Sequence, residues 1–377
     1  MGAIGVRLRT VRRVVTALLV VVMAGGAVVW CASRDVRYVA RAAVEEALIL
    51  LRARAIAAVV ADPATDPATR SKLELVLAAR GFAADSLHLA ARKTYTTYSR
   101  VRRDTLVLVL TASRWDRLDE LTWSWPVVGR VPYKGFFHRT EALAEARRLE
   151  QRGMDTYVRV SNAYSTLGWF NDPLLSTIVR EDSVDLAATV IHEILHNTIW
   201  VKGSVPFNES LADFVGYRGA AAFFLARGDP RNAGRAVARW QDEIRLQHFF
   251  DSLAAGLERL YAGGLPAPAL REQRQRLFAA AQADLAGPFG QTLRTIDGRW
   301  LARRPLNNAV VIAARLYRMR LDRFEDLLAA EHGDLVRAIG VVRDRVAGAA
   351  DPWAALGPPP GTEPAAASPA ARPAGRR

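Results

Sequence analysis

Residues 191–196 read Ile-His-Glu-Ile-Leu-His, which places His192 and His196 four apart with Glu193 between them. On a helix, side chains four apart share a face. Two imidazole nitrogens can therefore be aimed at one point, and that point can hold a single zinc ion. Glu193 is offset by one residue from His192, so it should stand beside the metal as the base for an attacking water rather than as a ligand. Hydrolytic zinc usually takes three protein ligands. Twelve residues beyond His196 the chain reads Asn208-Glu209-Ser210-Leu211-Ala212-Asp213. Glu209 is the candidate third ligand. Asp213, one turn further, is placed to accept the free ring N–H of a ligand histidine and fix its tautomer. Ser210 points roughly 100° away from Glu209 and is expected to matter little.

These residues need two helices to present them. An apolar run over 186–200 follows Asp182 and Ser183, both candidate N-caps, and predicts a helix over 184–201. Gly203 and Pro206 supply a turn, so a second helix over 209–227 can return antiparallel, with Asn208 as its cap and Glu209 in its first turn. Upstream, helical periodicity covers 34–60 and, after an Asp-Pro turn at 62–69, resumes over 71–89 with a break at Gly81. Branched residues at 104–113 and 156–161 predict strands, 140–152 a helix between them, and 123–137 a hairpin or irregular crossing. The stretch 163–170 reads as extended, and 232–346 as mostly amphipathic helix. Strands followed by helices argue an α+β fold: an N-terminal membrane helix, a small mixed sheet packed on the His-Glu-x-x-His helix, and a largely helical C-terminal region. The expected divisions are 1–33, a core over 34–230, a helical subdomain over 231–350, and a tail over 351–377 too poor in large apolar residues to fold.

Composition narrows the partners. The 377 residues carry a net charge of +14, but only four of the 52 basic residues are lysine. With no groove-reading motif beside the charge, a nucleic-acid partner is not indicated. A single cysteine, Cys31, excludes an intramolecular disulfide and any cysteine-only zinc site. Residues 14–33 form an uncharged run long enough to cross a bilayer. Arg7, Arg9, Arg12 and Arg13 precede it, which keeps that end cytoplasmic and puts the rest of the chain outside. An uncleaved single-pass anchor, a cleaved secretory signal and lipidation at Cys31 are the three readings, and the large Trp30 disfavours the last.

The two motifs together resemble the site of thermolysin-like zinc peptidases, in which a glutamate is the third ligand, although the spacing here is shorter. A bacterial family of predicted aminopeptidases with a short-spaced site is more similar. Its members look like this chain in Pro126-Val127-Val128-Gly129, in Tyr133-Lys134-Gly135-Phe136-Phe137, and in Ala163-Tyr164-Ser165-Thr166-Leu167-Gly168-Trp169-Phe170. The likeness continues in Val201-Lys202-Gly203, in Phe207-Asn208-Glu209-Ser210 and, more faintly, in Asn307-Asn308-Ala309. Many members carry a cysteine pair flanking the Pro-Val-Val-Gly segment. Ser124 and Arg130 stand at those places here, so no disulfide braces that loop.

The resemblance implies a zinc aminopeptidase, and the arginines ahead of the 14–33 run place its action on peptides outside the cytoplasm. The resemblance also implies that Asn162, Ala163 and Tyr164 form an edge strand to which a peptide backbone adds. An exopeptidase needs a group for the free α-amine, for which Asp172 is a candidate. Tyr164, Tyr217 and Tyr317 are unranked candidates for a second oxyanion donor. An envelope endopeptidase is the nearest rival. A zinc-stabilised scaffold is the rival from another class, and Glu193, a base with no use at a structural site, argues against it.

Overall fold

The computed structural model describes residues 34–101, 107–125, 129–161 and 173–357. The expected membrane span at 14–33 and the expected substrate strand Asn162, Ala163 and Tyr164 lie outside them. Among the described residues no helix is long and apolar enough to cross a membrane.

The chain divides after Arg52 into two units. The described part of the first is helix α1 (Arg34–Leu51). The single helix expected over 34–60 is thus cut short: Arg54–Ala55 form strand β1 and Ile56–Ala61 a separate helix, α2. Periodicity could not show this, because β1 is made by pairing with Tyr98 and Thr97, far along the chain. Helix α3 (Pro67–Asp85), capped by Asp66, runs unbroken through Gly81, whose surroundings are open. One glycine inside a helix costs only about 1 kcal/mol, and the buried Leu73, Val76, Ala79 and Ala83 outweigh it.

Among the described residues the strands form three small groups rather than one mixed sheet. Strand β2 (Thr97–Ser99) pairs antiparallel with β1 and parallel with β8 (Leu174–Leu175). Strand β3 (Val107–Arg114) is the centre of an antiparallel sheet between β6 (Lys134–Phe136) and β7 (Met154–Ser161). Strands β4 (Trp123–Trp125) and β5 (Gly129–Val131) make the hairpin, with Ser124 directly opposite Arg130. Every residue of β3 from Val107 to Ser113 is buried, so both faces are covered, in keeping with the unbroken apolar run from Val107 to Leu110. Its cover is α4 (Arg139–Glu150) and, from the C-terminal region, α11 (Asn308–Leu316).

The expectation that the sheet packs on the His-Glu-x-x-His helix is therefore corrected. That helix, α5 (Ser183–His196), has α3, α6 (Val205–Ala226) and α7 (Pro230–Ala262) as its main neighbours. The remaining helices are α8 (Ala267–Ala286), α9 (Pro288–Thr292), α10 (Gly298–Ala302), α12 (Asp322–Ala330), α13 (Leu335–Val346) and α14 (Pro352–Ala355).

Two expected boundaries also shift. Ala53 onward forms one compact unit, so 230/231 marks a change from mixed to helical composition, not a separate body. Helix α11 shows why: Asn307 Nδ2 donates to the Thr156 carbonyl of β7, and the buried Asn308 donates to the Arg114 and Arg117 carbonyls at the end of β3. Those two asparagines hook the helical region onto the sheet. The expected tail begins later than 351, because Asp351 caps α14 and Trp353 packs edge-on against Phe207 at 4.9 Å. A single tryptophan is enough to anchor a segment whose composition looks unfoldable.

Candidate metal centre

Helix α5 starts where Asp182, the first of the two candidate caps, accepts the Val184 and Asp185 N–H groups at 2.7 and 3.3 Å. Its apolar positions sink into the core, with Leu186, Ile191, Ile194 and Leu195 fully buried. That leaves one polar edge carrying His192 and His196. Asn208 does not cap the second helix as expected. Helix α6 begins at Val205, with Ser204 in the cap position and Glu209 in the second turn. The almost fully buried Asn208 instead accepts the Val201 N–H at 2.9 Å and donates to the Val201 carbonyl at 2.8 Å. This pair of hydrogen bonds latches the reversing loop onto α6 and fixes the height of Glu209 relative to His196.

The two helices run as an antiparallel ladder. Glu209 lies opposite His196 and His192, Asp213 opposite His192, Gly216 opposite Ala188, and Tyr217 opposite Asp185. The rung at Gly216 sets the spacing. A Cβ there would lie 2.8 Å from the Ala188 carbonyl oxygen and 3.3 Å from the His192 Cβ, so only glycine allows this approach beside a proposed ligand.

Three side chains converge at the top of the ladder. His192 Nε2 and His196 Nε2 are 3.2 Å apart; Glu209 Oε2 is 3.5 Å from the first and Oε1 3.8 Å from the second. One ligand atom from each lies within 4.8 Å of the others. A tetrahedral ion with bonds of about 2.1 Å holds its ligand atoms roughly 3.4 Å apart, so the set fits one. Asp213 Oδ1 meets His192 Nδ1 at 2.8 Å, the contact that leaves Nε2 free to face an ion. His196 Nδ1 is buried with no hydrogen-bond partner among the described residues, and its ring is instead wedged edge-on between His192 and Trp200.

The electrostatics separate the two histidines. Burial alone would push both down. At His192 the bonds to Asp213 and Glu209 outweigh burial and hold the imidazole well above its ordinary value. At His196 burial wins against the pull of Glu209 and drives it down to about 4, leaving a neutral ring with a lone pair to give. Burial would raise Glu209, yet its bond to His192 and the neighbouring His196 keep it below the usual carboxylate range. Glu209 is thus held ionised and His196 neutral, the states a divalent cation needs, while the raised His192 has to release its extra proton when a cation binds.

The wall beside this set comes from distant segments. Arg159 on β7 donates from Nη2 to the Tyr317 hydroxyl at 3.0 Å, with its guanidinium 5.0 Å from that ring's centre. Burial pushes the Tyr317 phenol up to about 12, with Arg159 pulling the other way and Glu209 adding to the rise. Tyr133 is likewise raised by burial, then by Tyr317 and Glu209. Both phenols therefore stay protonated as donors. The connector after α11 that carries Tyr317 is pinned closely: Ser210 Oγ accepts the Met319 N–H at 3.0 Å, Gln247 accepts the Leu321 N–H, and Arg318 bonds Glu243 at 2.5 Å. Arg320 in that connector sits at φ 51, a strained conformation kept because its neighbours over-determine it.

Of the tyrosines considered from sequence, Tyr317 is near the ligand set. Tyr217 donates to Asp185, two turns or ~10 Å short of His192. Tyr164 and Asp172 lie outside the described residues. Ser210, expected to be inert, is fully buried and holds the Tyr317 connector. Arg159 and Gly216 carried no signal in one sequence, since their roles depend on partners they meet only in the fold. Tyr133 had one, in the Tyr-Lys-Gly-Phe-Phe segment.

No curated protein and no solved structure matches the chain. A family model described as "Putative aminopeptidase" matches residues 37–349. That family's description points to peptide hydrolysis, and the match takes in both helical motifs, Arg159 and Tyr317. The chain belongs to this aminopeptidase family.

Proposed function

We propose that the chain is a zinc-dependent aminopeptidase in which His192, His196 and Glu209 hold one metal ion and Glu193 is the general base. The observation that carries this reading is the convergence of three ligand atoms within 4.8 Å on two latched helices, with Glu193 one residue from the first ligand. When bound, zinc supplies Lewis acidity, making water a nucleophile near neutral pH and polarising a carbonyl. Glu193 takes the proton of the attacking water and later passes it to the leaving amine. Asp213 keeps the His192 tautomer with Nε2 toward the ion. Tyr317, whose hydroxyl accepts from Arg159, has its own proton to direct elsewhere and is better placed than Tyr217 to steady the developing oxyanion. The peptide backbone adds beyond β7, the end strand of its sheet among the described residues, which is followed in sequence by Asn162, Ala163 and Tyr164. Action outside the cytoplasm rests on Arg7, Arg9, Arg12 and Arg13 ahead of the uncharged run at 14–33.

Glu193→Gln tests the assignment. The amide keeps size and shape but accepts no proton, so zinc should remain at one equivalent while turnover on a peptide library falls by roughly two to four decades. Loss of zinc would make Glu193 a ligand; undiminished turnover would remove it from the chemistry.

A further inference from the structure

Arg159 differs from the arginines packed around α6, α7 and the sheet, and also from Arg70 and Arg80, which spend their donors on backbone carbonyls. Arg218 is paired with Glu325, Arg239 and Arg318 with Glu243, and Arg274 with Asp155. Each of those cations has a carboxylate to offset its burial. Arg159 is half-buried on β7, and among the described residues no carboxylate lies within ion-pair distance of it. Its hydrogen-bond partner is the neutral Tyr317 hydroxyl, and Tyr133, kept neutral by burial, lies within electrostatic range. A cation partly withdrawn from water without an anion carries a desolvation cost, and a guanidinium that spends one of its five N–H donors on a phenol keeps a fork that matches a carboxylate in two parallel bonds.

The neighbouring carboxylates are otherwise engaged. Glu209 lies between His192 and His196, Asp213 bonds His192, and Glu243 bonds Arg318 and Arg239. Among the described residues no carboxylate is left to pair with Arg159, so an anion from outside can complete it, at a position bordered by the proposed oxyanion donor. In a peptide, the carboxylate of the residue that follows the scissile carbonyl is about one residue, ~3.8 Å, further along the chain. One tyrosine can border both sites only if the two groups are that close.

We infer that Arg159, flanked by Tyr317 and Tyr133, receives the free α-carboxylate of a short peptide, so that the preferred substrates are dipeptides whose C-terminal residue is the leaving group. This deepens the proposed peptidase reading and rests on it. An acidic side chain with a blocked terminus would offer the same carboxylate, and the test separates the two sources.

The experiment uses the zinc-loaded full chain carrying Glu193→Gln, so that peptides bind without being consumed, and calorimetric titration with Ala-Ala, Ala-Ala-amide and Ala-Asp-amide. Ala-Ala should bind roughly ten- to a hundredfold more tightly than Ala-Ala-amide, the worth of a hydrogen-bonded charge. Arg159→Gln should bring the two to the same affinity, and Arg159→Lys should keep part of the preference. Equal affinity of acid and amide before any change at Arg159, or a preference that survives Arg159→Gln, would overturn the inference. If Arg159→Gln does not fold, the acid-to-amide ratio of the parent and the partial effect of Arg159→Lys still decide it. Ala-Asp-amide binding as well as Ala-Ala would overturn the terminal assignment. Hydrolysis of Ala-Ala by the protein with Glu193 intact is scored separately: no turnover with the acid preference intact counts against the peptidase reading, whereas turnover of acid and amide alike counts against the role of Arg159.

Discussion

The helix pair α5–α6 and the corner formed by Arg159 and Tyr317 are parts of one site built in opposite ways. The helix pair draws all its chemistry from residues 192–213, held by two motifs, one latch at Asn208 and one close rung at Gly216. The corner takes Tyr133, Arg159 and Tyr317 from a strand connection, a strand and a helix end. The position of Tyr317 is set by bonds from α6 and α7 to the connector that follows it. The helix pair carries carboxylates and imidazoles, a set that calls for a cation. The corner carries a guanidinium and protonated phenols, a set that donates. Short-range sequence suffices to build the first because a helix repeats its face every turn, while the second exists only once the sheet and α11 have docked.

The largest expected effect falls on the helix pair. Glu209→Ala leaves two imidazoles, and zinc should be lost to a modest chelator and turnover with it; retained zinc, read by metal analysis after dialysis, would move the carboxylate ligand to Asp213. On the corner, Tyr317→Phe keeps the ring under Arg159 but removes the donor. Turnover should fall by roughly two to three decades, as when one oxyanion donor is lost, with zinc affinity unchanged. A joint loss of both would mean that the two parts are one structural unit and that the contrast drawn here is false.

Smaller changes probe what holds each part. Gly216→Ala touches no proposed ligand, yet its Cβ meets the Ala188 carbonyl at 2.8 Å. It should cost about 1–3 kcal/mol in denaturant unfolding and weaken zinc binding by widening the ladder; a variant as stable as the parent would show that the helices can part without consequence. Ser210→Ala removes the acceptor for the Met319 N–H and should cost about 1 kcal/mol. Because Ser210 serves the corner, kcat should fall modestly while zinc affinity stays at the parent value. A drop in zinc affinity instead would assign Ser210 to its neighbour Glu209.

Much of the helix pair was legible in advance. The spacing of His192 and His196, the Asp182 cap, the reversal near Gly203 and the approach of Asp213 to His192 all follow from contacts within a few turns. Asn208 misled because an asparagine ahead of an acidic residue suits a cap equally well, and only the loop it folds back on shows that it binds Val201 from inside the helix. The break at 52–55 and the folding of α14 were hidden for the same reason: each is decided by a partner distant in sequence, Tyr98 in one case and Phe207 in the other.

The residue types around His192, Glu193, His196 and Glu209 settled which chemistry the chain can support, since ligand atoms and helical period are local properties. Tertiary structure decided that Arg159 stands beside the ligand set without a carboxylate, that Tyr317 lies near it and that Gly216 sets the helix spacing. Those are properties of burial and approach, and no window of sequence contains both partners. Arg159 and Tyr317 are 158 positions apart and meet at 3.0 Å, because Asn307 and Asn308 fasten α11 to the ends of β7 and β3.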